Sequence, residues 1–346
     1  MTIPKGARIV GHEELRDLSV AALVRAGVAV PHAELIADSA LDSELGGRSS
    51  HGIVRIAGYL KKAEQGGIDR HAEPAVIRDH GAVFAIDARN GFGQLALALA
   101  VDMAVDRALR HGIACGTIRN LNNAGALGYF ARRATKAGQI AILGGNATPA
   151  MPPHGGRTAK LGTNPFCVAV PAASAPDPVL DMATTAASKG TIRMAARRGT
   201  PIPADWALTA EGEATTDPTA ALEGLLLPFG GAKGYGLALM VEILSGVLAG
   251  AGVSDEVRGL SELTSPSNAG AFVITISPDA LVPRAEFDLR LGTLLDGIRS
   301  STPAAGVERV LVPGDRYWHE RERRLRDGIE LPPAVYAELA ALAGRA

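Results

Sequence analysis

The chain has 346 residues, 47% of them hydrophobic and 21% charged, with a formal net charge of -1. That length and apolar content supply a large core in more than one subdomain and exclude a disordered protein. The near-neutral charge leaves no broad basic field to recruit nucleic acid, and aromatic residues, at 4%, are too sparse for base-stacking platforms.

Residues 12–66 read as helices. Glu13-Glu14-Leu15 opens one, Pro31-His32-Ala33-Glu34-Leu35 another, and the segment around His51 a third. Residues 82–88 alternate as a strand and lead into a long Ala-rich helix near 94–110. Short β-like runs at Ile113–Ile118, Ile140–Leu143 and Val168–Val170 are broken by Gly, Asn and Pro. Residues 236–248 predict an apolar helix, 272–276 a strand, and 320–344 a charged helix. Patches rich in Pro and Gly at 149–156 and 171–178 mark loops. One β-α-β passage stands in an otherwise irregular order, so the expected class is α+β and not a doubly wound sheet. The opening Met1-Thr2-Ile3-Pro4-Lys5-Gly6 lacks a signal-peptide pattern, and no run approaches a membrane span. Cys115 and Cys167 lie in apolar stretches and read as small buried hydrophobes in a reducing compartment, so a cytoplasmic protein is expected.

The most informative string is Gly47-Arg48-Ser49-Ser50-His51-Gly52-Ile53-Val54-Arg55, followed at the same spacing by Tyr59. His51, Arg55 and Tyr59 recur every four residues, which on one helix places an imidazole, a guanidinium and a phenol along one face. Gly47 and Ser49-Ser50 read as a turn and N-cap, with His51 in the first helical turn. Arg55 would grip a carboxylate while His51 moves a proton, which suits an enzyme acting on a small organic acid. The same pattern also fits the wet side of an amphipathic helix. Gly91-Phe92-Gly93-Gln94-Leu95-Ala96 matches a dinucleotide fingerprint between a strand and a helix, but the alternation that should follow is missing. A tight strand-to-helix turn is the better reading. Asn122-Asn123-Ala124-Gly125-Ala126-Leu127-Gly128 precedes a helix whose free N–H groups suit a pyrophosphate. Leu161-Gly162-Thr163-Asn164-Pro165 is a rigid polar turn, and Lys233 follows a Gly-rich loop at the mouth of the apolar helix. Pro313-Gly314-Asp315-Arg316 is a late turn carrying an arginine. No cluster has the spacing of a metal site.

Taken together, Ser50-His51-Gly52, Leu161-Gly162-Thr163-Asn164-Pro165, Asp181-Met182-Ala183-Thr184, Lys233-Gly234 and Pro313-Gly314 resemble the malate/L-lactate dehydrogenase family of the second type. That non-Rossmann group also holds sulfolactate, ureidoglycolate and diketogulonate oxidoreductases and the piperideine/pyrroline-2-carboxylate reductases. The resemblance implies an NAD(P)-binding domain with a largely antiparallel sheet over residues 76–284. It also implies a helical domain built from residues 1–75 and 285–346, and a homodimer. His51 would be the proton donor, oriented by Ser50 and Asp181, with Arg55, Thr163 and Tyr59 at the substrate. Asn123, Ala124, Gly125, Ala126, Leu127, Met182, Ala183, Lys233, Gly314, Asp315 and Arg316 would hold the cofactor. An ionised Asp181 would offset the electropositive helix end and keep His51 able to deliver a proton near neutral pH.

The chain departs from the family at Asn123, where relatives commonly carry a second histidine. An amide cannot act as general base, which weakens hydroxy-acid oxidation and favours reduction of a cyclic 2-imino acid or a 2-oxo acid. Arg193, Arg197, Arg198 and Arg316 offer guanidinium groups for a 2′-phosphate and point to NADPH, with NADH as the alternative. Two other readings stand beside this one: an NAD-dependent 2-hydroxy-acid dehydrogenase, and a non-catalytic NAD(P)- or metabolite-binding member of the family.

Overall fold

The computed structural model describes residues 8–174 and 176–345. The expectations placed on Met1–Gly6, and on Ala175 within the 171–178 loop, lie outside them. The chain begins with strand β1 (Arg8–Val10) and helices α1 (His12–Arg25) and α2 (Val30–Leu45). A 3-10 turn at Ser49–His51 then leads to α3 (Val54–Glu64). The middle runs β2 (Ala75–His80), β3 (Val83–Asp87), α4 (Gly93–His111), β4 (Ile113–Leu121), α5 (Leu127–Lys136), β5 (Ile140–Gly145), β6 (Phe166–Ala169) and β7 (Val179–Met182). Next come α6 (Lys189–Arg198), β8 (Ala207–Leu208), α7 (Pro218–Glu223), β9 (Leu225–Leu226) and α8 (Ala232–Glu242), which continues as a π-helical stretch over Ile243–Val247. The last elements are β10 (Ala269–Ile276), α9 (Arg284–Arg299), α10 (Asp315–Asp327), β11 (Ile329–Leu331) and α11 (Pro333–Leu342).

Seven strands form one sheet in the order β2-β3-β4-β10-β5-β6-β7. Only β3 and β4 pair in parallel, joined through α4, and every other neighbour in that sheet is antiparallel. The architecture is therefore α+β, with one β-α-β crossover. The fingerprint-like turn at its start is structural. A Cβ at Gly93 would overlap the backbone oxygen of Asn122, so glycine is there to let α4 begin against the 122–123 loop. Leu97 and Val101 of α4 and Phe130 and Ala131 of α5 pack on Ile118, Leu143 and Val273 of the sheet. Each of the larger side chains among these contributes about 1.5–3 kcal/mol on burial.

A second core joins Leu15, Leu23, Ile36, Ile56 and Leu60 of the early helices to Ile329, Leu331 and Leu339 near the other chain end. Strands β1 and β11 close it as an antiparallel pair, Val10 opposite Ile329. The helix predicted over 320–344 is accordingly two helices interrupted by β11. Gly328, at φ +86°, turns the chain where α10 stops, and Pro332-Pro333 starts α11. The apolar helix predicted from 236 begins earlier, at Ala232, because the Gly230-Gly231 turn feeds it directly. Among the described residues no helix is long and apolar enough to cross a membrane, and no group of three or more His, Cys, Asp or Glu is arranged to hold a metal.

Candidate active site

The segment after α2 folds around a buried carboxylate. Glu44, 1% exposed, accepts the Ser49 hydroxyl at 2.5 Å and the Ile53 N–H at 3.2 Å. Arg324 donates to the same carboxylate at 3.3 Å and to the Glu44 carbonyl at 2.5 Å. His51 therefore sits in a short 3-10 turn, and Gly52-Ile53 separate it from α3. This corrects the expected single helical face. Ser49 is drawn to Glu44 and caps nothing, so His51, Arg55 and Tyr59 do not share one unbroken helix.

Within the turn, Ser50 Oγ lies 3.0 Å from His51 Nδ1, and Arg55 Nε donates to the Ser50 carbonyl at 2.5 Å. Burial, followed by the Arg55 charge, pushes the His51 imidazole down to about 4, with Asp181 acting against them and Arg48 adding to them. The imidazole is thus neutral at pH 7, and the expectation that Asp181 would hold it near neutrality fails on electrostatic grounds. Two guanidinium groups and desolvation outweigh one carboxylate that is already engaged elsewhere. Asp181 pairs with Arg48, accepts the Gly128 N–H at 2.9 Å, and receives a second Arg48 bond at its carbonyl, also at 2.9 Å. Among the described residues it makes no hydrogen bond to His51.

His51 lines a cleft of about 150 Å³ together with Asn123, Ala124, Gly125, Leu127 and Thr163. Asn146-Ala147-Thr148 and Arg258-Gly259-Leu260 line it as well. Tyr59 does not reach this space. It is 1% exposed, its hydroxyl donates to Asn123 Oδ1 at 2.7 Å, and burial pushes the phenol up to about 12. Thr163 is tied to the segment after β7, because its carbonyl accepts the Thr184 N–H at 2.9 Å and hydroxyl at 3.0 Å. Phe229 N–H in turn donates to the Thr184 carbonyl at 3.1 Å, which brings the Lys233 loop alongside. The 313–316 turn reaches the start of β7 through Val179 N–H to the Pro313 carbonyl, at 2.9 Å.

Several residues expected at the cofactor are occupied otherwise. Asp315 is buried, paired with Arg299 at 2.8 Å, and accepts the Val312 N–H at 2.9 Å. The N–H groups of the 122–128 loop are partly used as well, Gly125 by Asn123 and Gly128 by Asp181. Arg55, Ala126, Met182, Ala183, Lys233 and the 314–316 turn lie outside the cleft lining. Lys233 and Arg316 are exposed, and Met182 and Ala183 half-buried.

The remaining donors fit a nicotinamide nucleotide and a carboxylate-bearing substrate. Asn123 Nδ2 has no protein partner among the described residues, and α5 starts without a side-chain cap. Arg193, Arg197, Arg198 and Arg316 are exposed and form no ion pair among the described residues. Sequence reasoning gave no role to Arg48, although it stood inside the quoted string, nor to Asn146 and Arg258. It also passed over two buried carboxylates, Glu44 and Glu242. Glu242 accepts from Asn164 at 2.7 Å, Asn146 at 3.1 Å and the Ser254 N–H at 2.9 Å, holding three loops beside the cleft.

The malate/L-lactate dehydrogenase family profile matches residues 10–340. The chain is 35% identical over 331 residues to an L-sulfolactate dehydrogenase of Methanocaldococcus jannaschii, covering 96% of this chain and 95% of that one. It is 37% identical to a Delta(1)-pyrroline-2-carboxylate reductase of Ancylobacter novellus, covering 93% and 94%. The solved structure of the sulfolactate dehydrogenase from M. jannaschii superposes with a TM-score of 0.93 over 97% of both chains at 35% identity. The chain therefore belongs to the malate/L-lactate dehydrogenase family of NAD(P)-dependent oxidoreductases.

Proposed function

We propose that this chain reduces a small cyclic 2-imino acid or 2-oxo acid at C2, using NADPH, with the imine preferred. The observation that carries the reading is His51, acted on by the Arg55 charge, in a cleft that is also lined by Asn123, an amide. The bound cofactor supplies the hydride. Arg55 holds the substrate carboxylate, and the anion offsets the second-largest influence that keeps His51 unprotonated. Ser50 contacts the imidazole at Nδ1; once the substrate anion offsets Arg55, His51 takes up a proton from solvent and Nε2 passes it to a 2-oxo acid as it becomes a hydroxyl. A cyclic iminium brings its own proton and makes little demand on His51, which suits an imidazole that titrates at about 4. Thr163, half-buried in the cleft wall, supplies a second contact to the carboxylate.

The four exposed arginines, which form no ion pair among the described residues, favour the extra phosphate of NADPH. Lys233 and the 314–316 turn would meet the nucleotide outside the cleft. Exposed Val247 and Leu248 after α8 and Leu289 on α9 support burial against a second copy, hence a homodimer. The two free cysteines accord with a reducing cytoplasm. A second reading, oxidation of a 2-hydroxy acid with NAD, draws on the same neutral His51 as proton acceptor. Nicotinamide absorbance with NADPH and NADH, against Δ1-piperideine-2-carboxylate, pyruvate and a bulkier 2-oxo acid, tests the proposal. Oxidation with the imine is expected, and faster with NADPH. Cofactor binding without turnover of any of them would leave the non-catalytic reading in its place.

A further inference from the structure

The carboxamide of Asn123 has a fixed orientation. Its Oδ1 accepts the backbone N–H of Gly125 at 3.1 Å and the Tyr59 hydroxyl at 2.7 Å. A backbone N–H can meet only the oxygen of the amide, so the assignment of O and N follows from chemistry. Tyr59 is buried, with Gln94 packed beside its hydroxyl, and cannot swing away to offer a different partner. The other end of the amide, Nδ2, has no protein partner among the described residues, and Asn123 lines the same cleft as His51 and Thr163.

We infer that Tyr59 and Gly125 hold Asn123 as a hydrogen-bond donor turned into the cleft, selecting a ligand that presents a carboxylate or carbonyl oxygen there. Tyr59 is then a positioning residue that acts through Asn123. The inference rests on the proposed reductase reading for the identity of the ligand, a 2-oxo or 2-imino acid. The same chemistry is offered by the carboxamide oxygen of a bound nicotinamide. In either case an amide held this way repels a cationic group at that point and cannot take up a proton.

The test uses the full chain with oxamate, a non-reacting 2-oxo acid analogue, titrated calorimetrically in the presence of NADPH. NADPH binding is followed separately by its fluorescence. Asn123→Asp keeps the shape and replaces the donor by an acceptor. It should weaken oxamate at least ~10-fold while NADPH affinity and the thermal transition stay near wild type, since a bond to a charged partner is worth about 1.5–3 kcal/mol. Loss of NADPH affinity instead would assign the donor to the nicotinamide. Both affinities within twofold of wild type would overturn the inference. Tyr59→Phe should weaken the same ligand by a few-fold, because Gly125 alone then holds the amide; no change would remove Tyr59 from the positioning role. If Asn123→Asp does not fold, Tyr59→Phe decides alone by the same criterion. In turnover, both variants should raise KM more than they lower kcat. A wild-type protein that binds NADPH but turns over no 2-oxo or 2-imino acid would defeat the reductase reading, and the NADPH titrations would still judge the donor.

Discussion

The low proton affinity of His51 makes a thermodynamic prediction that needs no substrate. Folding lowers the imidazole from an ordinary 6.5 to about 4, with burial the first cause and Arg55 the second. Between those two pH values the unfolded chain binds a proton that the folded chain refuses, so stability must rise with pH across that window. Above pH 6.5 His51 is neutral in both states and costs nothing. Below pH 4 the whole difference, about 3 kcal/mol at 1.36 kcal/mol per pH unit, is lost. His51→Gln removes the titration and leaves the other groups in place. Urea unfolding of both proteins at pH 7.0, 5.5 and 4.5 should show the wild type losing stability relative to the variant as pH falls, by about 1 kcal/mol in each of the two steps. Parallel stabilities at all three values would refute the half-buried, neutral imidazole. Arg55→Met should raise the His51 titration followed by NMR, yet leave it below 6.5, because burial remains.

Other consequences follow from the groups that shape the site. Glu44→Ala strands the Ile53 N–H and leaves the buried Arg324 with Glu320 as its remaining carboxylate partner, and should cost about 1–3 kcal/mol in urea unfolding. Glu44→Gln should cost clearly less, and equal losses would mean that the charge is irrelevant. Gly93→Ala should destabilise by about 1–3 kcal/mol, since a Cβ there meets the Asn122 carbonyl. An unchanged unfolding midpoint would deny the close approach. Glu242→Leu orphans three donors and should cost at least about 3 kcal/mol; a smaller loss on denaturation would show that the three loops are held by other means.

The sequence carried the class of fold because hydrophobic period and turn residues are local. The strand at 83–87, the helix at 93–111 and the strand at 269–276 lie close to where patterning puts them. Two failures have physical causes. Strand β11 is three residues long and owes its existence to pairing with β1, more than 300 residues away, so no local pattern announces it. The His51 turn looked helical because four-residue spacing is blind to a buried acid. It is Glu44, on the preceding helix, that pulls Ser49 and Ile53 out of a helical register. For the site, ordered motifs brought His51, Asn123 and Thr163 to one cleft. Pairing between side chains was not legible. Arg48 takes Asp181, Arg299 takes Asp315, and Tyr59 is spent on Asn123, all contacts set by tertiary packing.

The central claim is that this cleft directs a hydride to C2 of a small 2-imino or 2-oxo acid. It is tested most directly by turnover with NADPH deuterated at C4 of the nicotinamide and Δ1-piperideine-2-carboxylate, with the product read by NMR. The account predicts one deuterium at C2 of the cyclic amino acid, in a single stereochemical sense. Deuterium elsewhere, a racemic C2 centre, or no transfer from either face of the cofactor would contradict it.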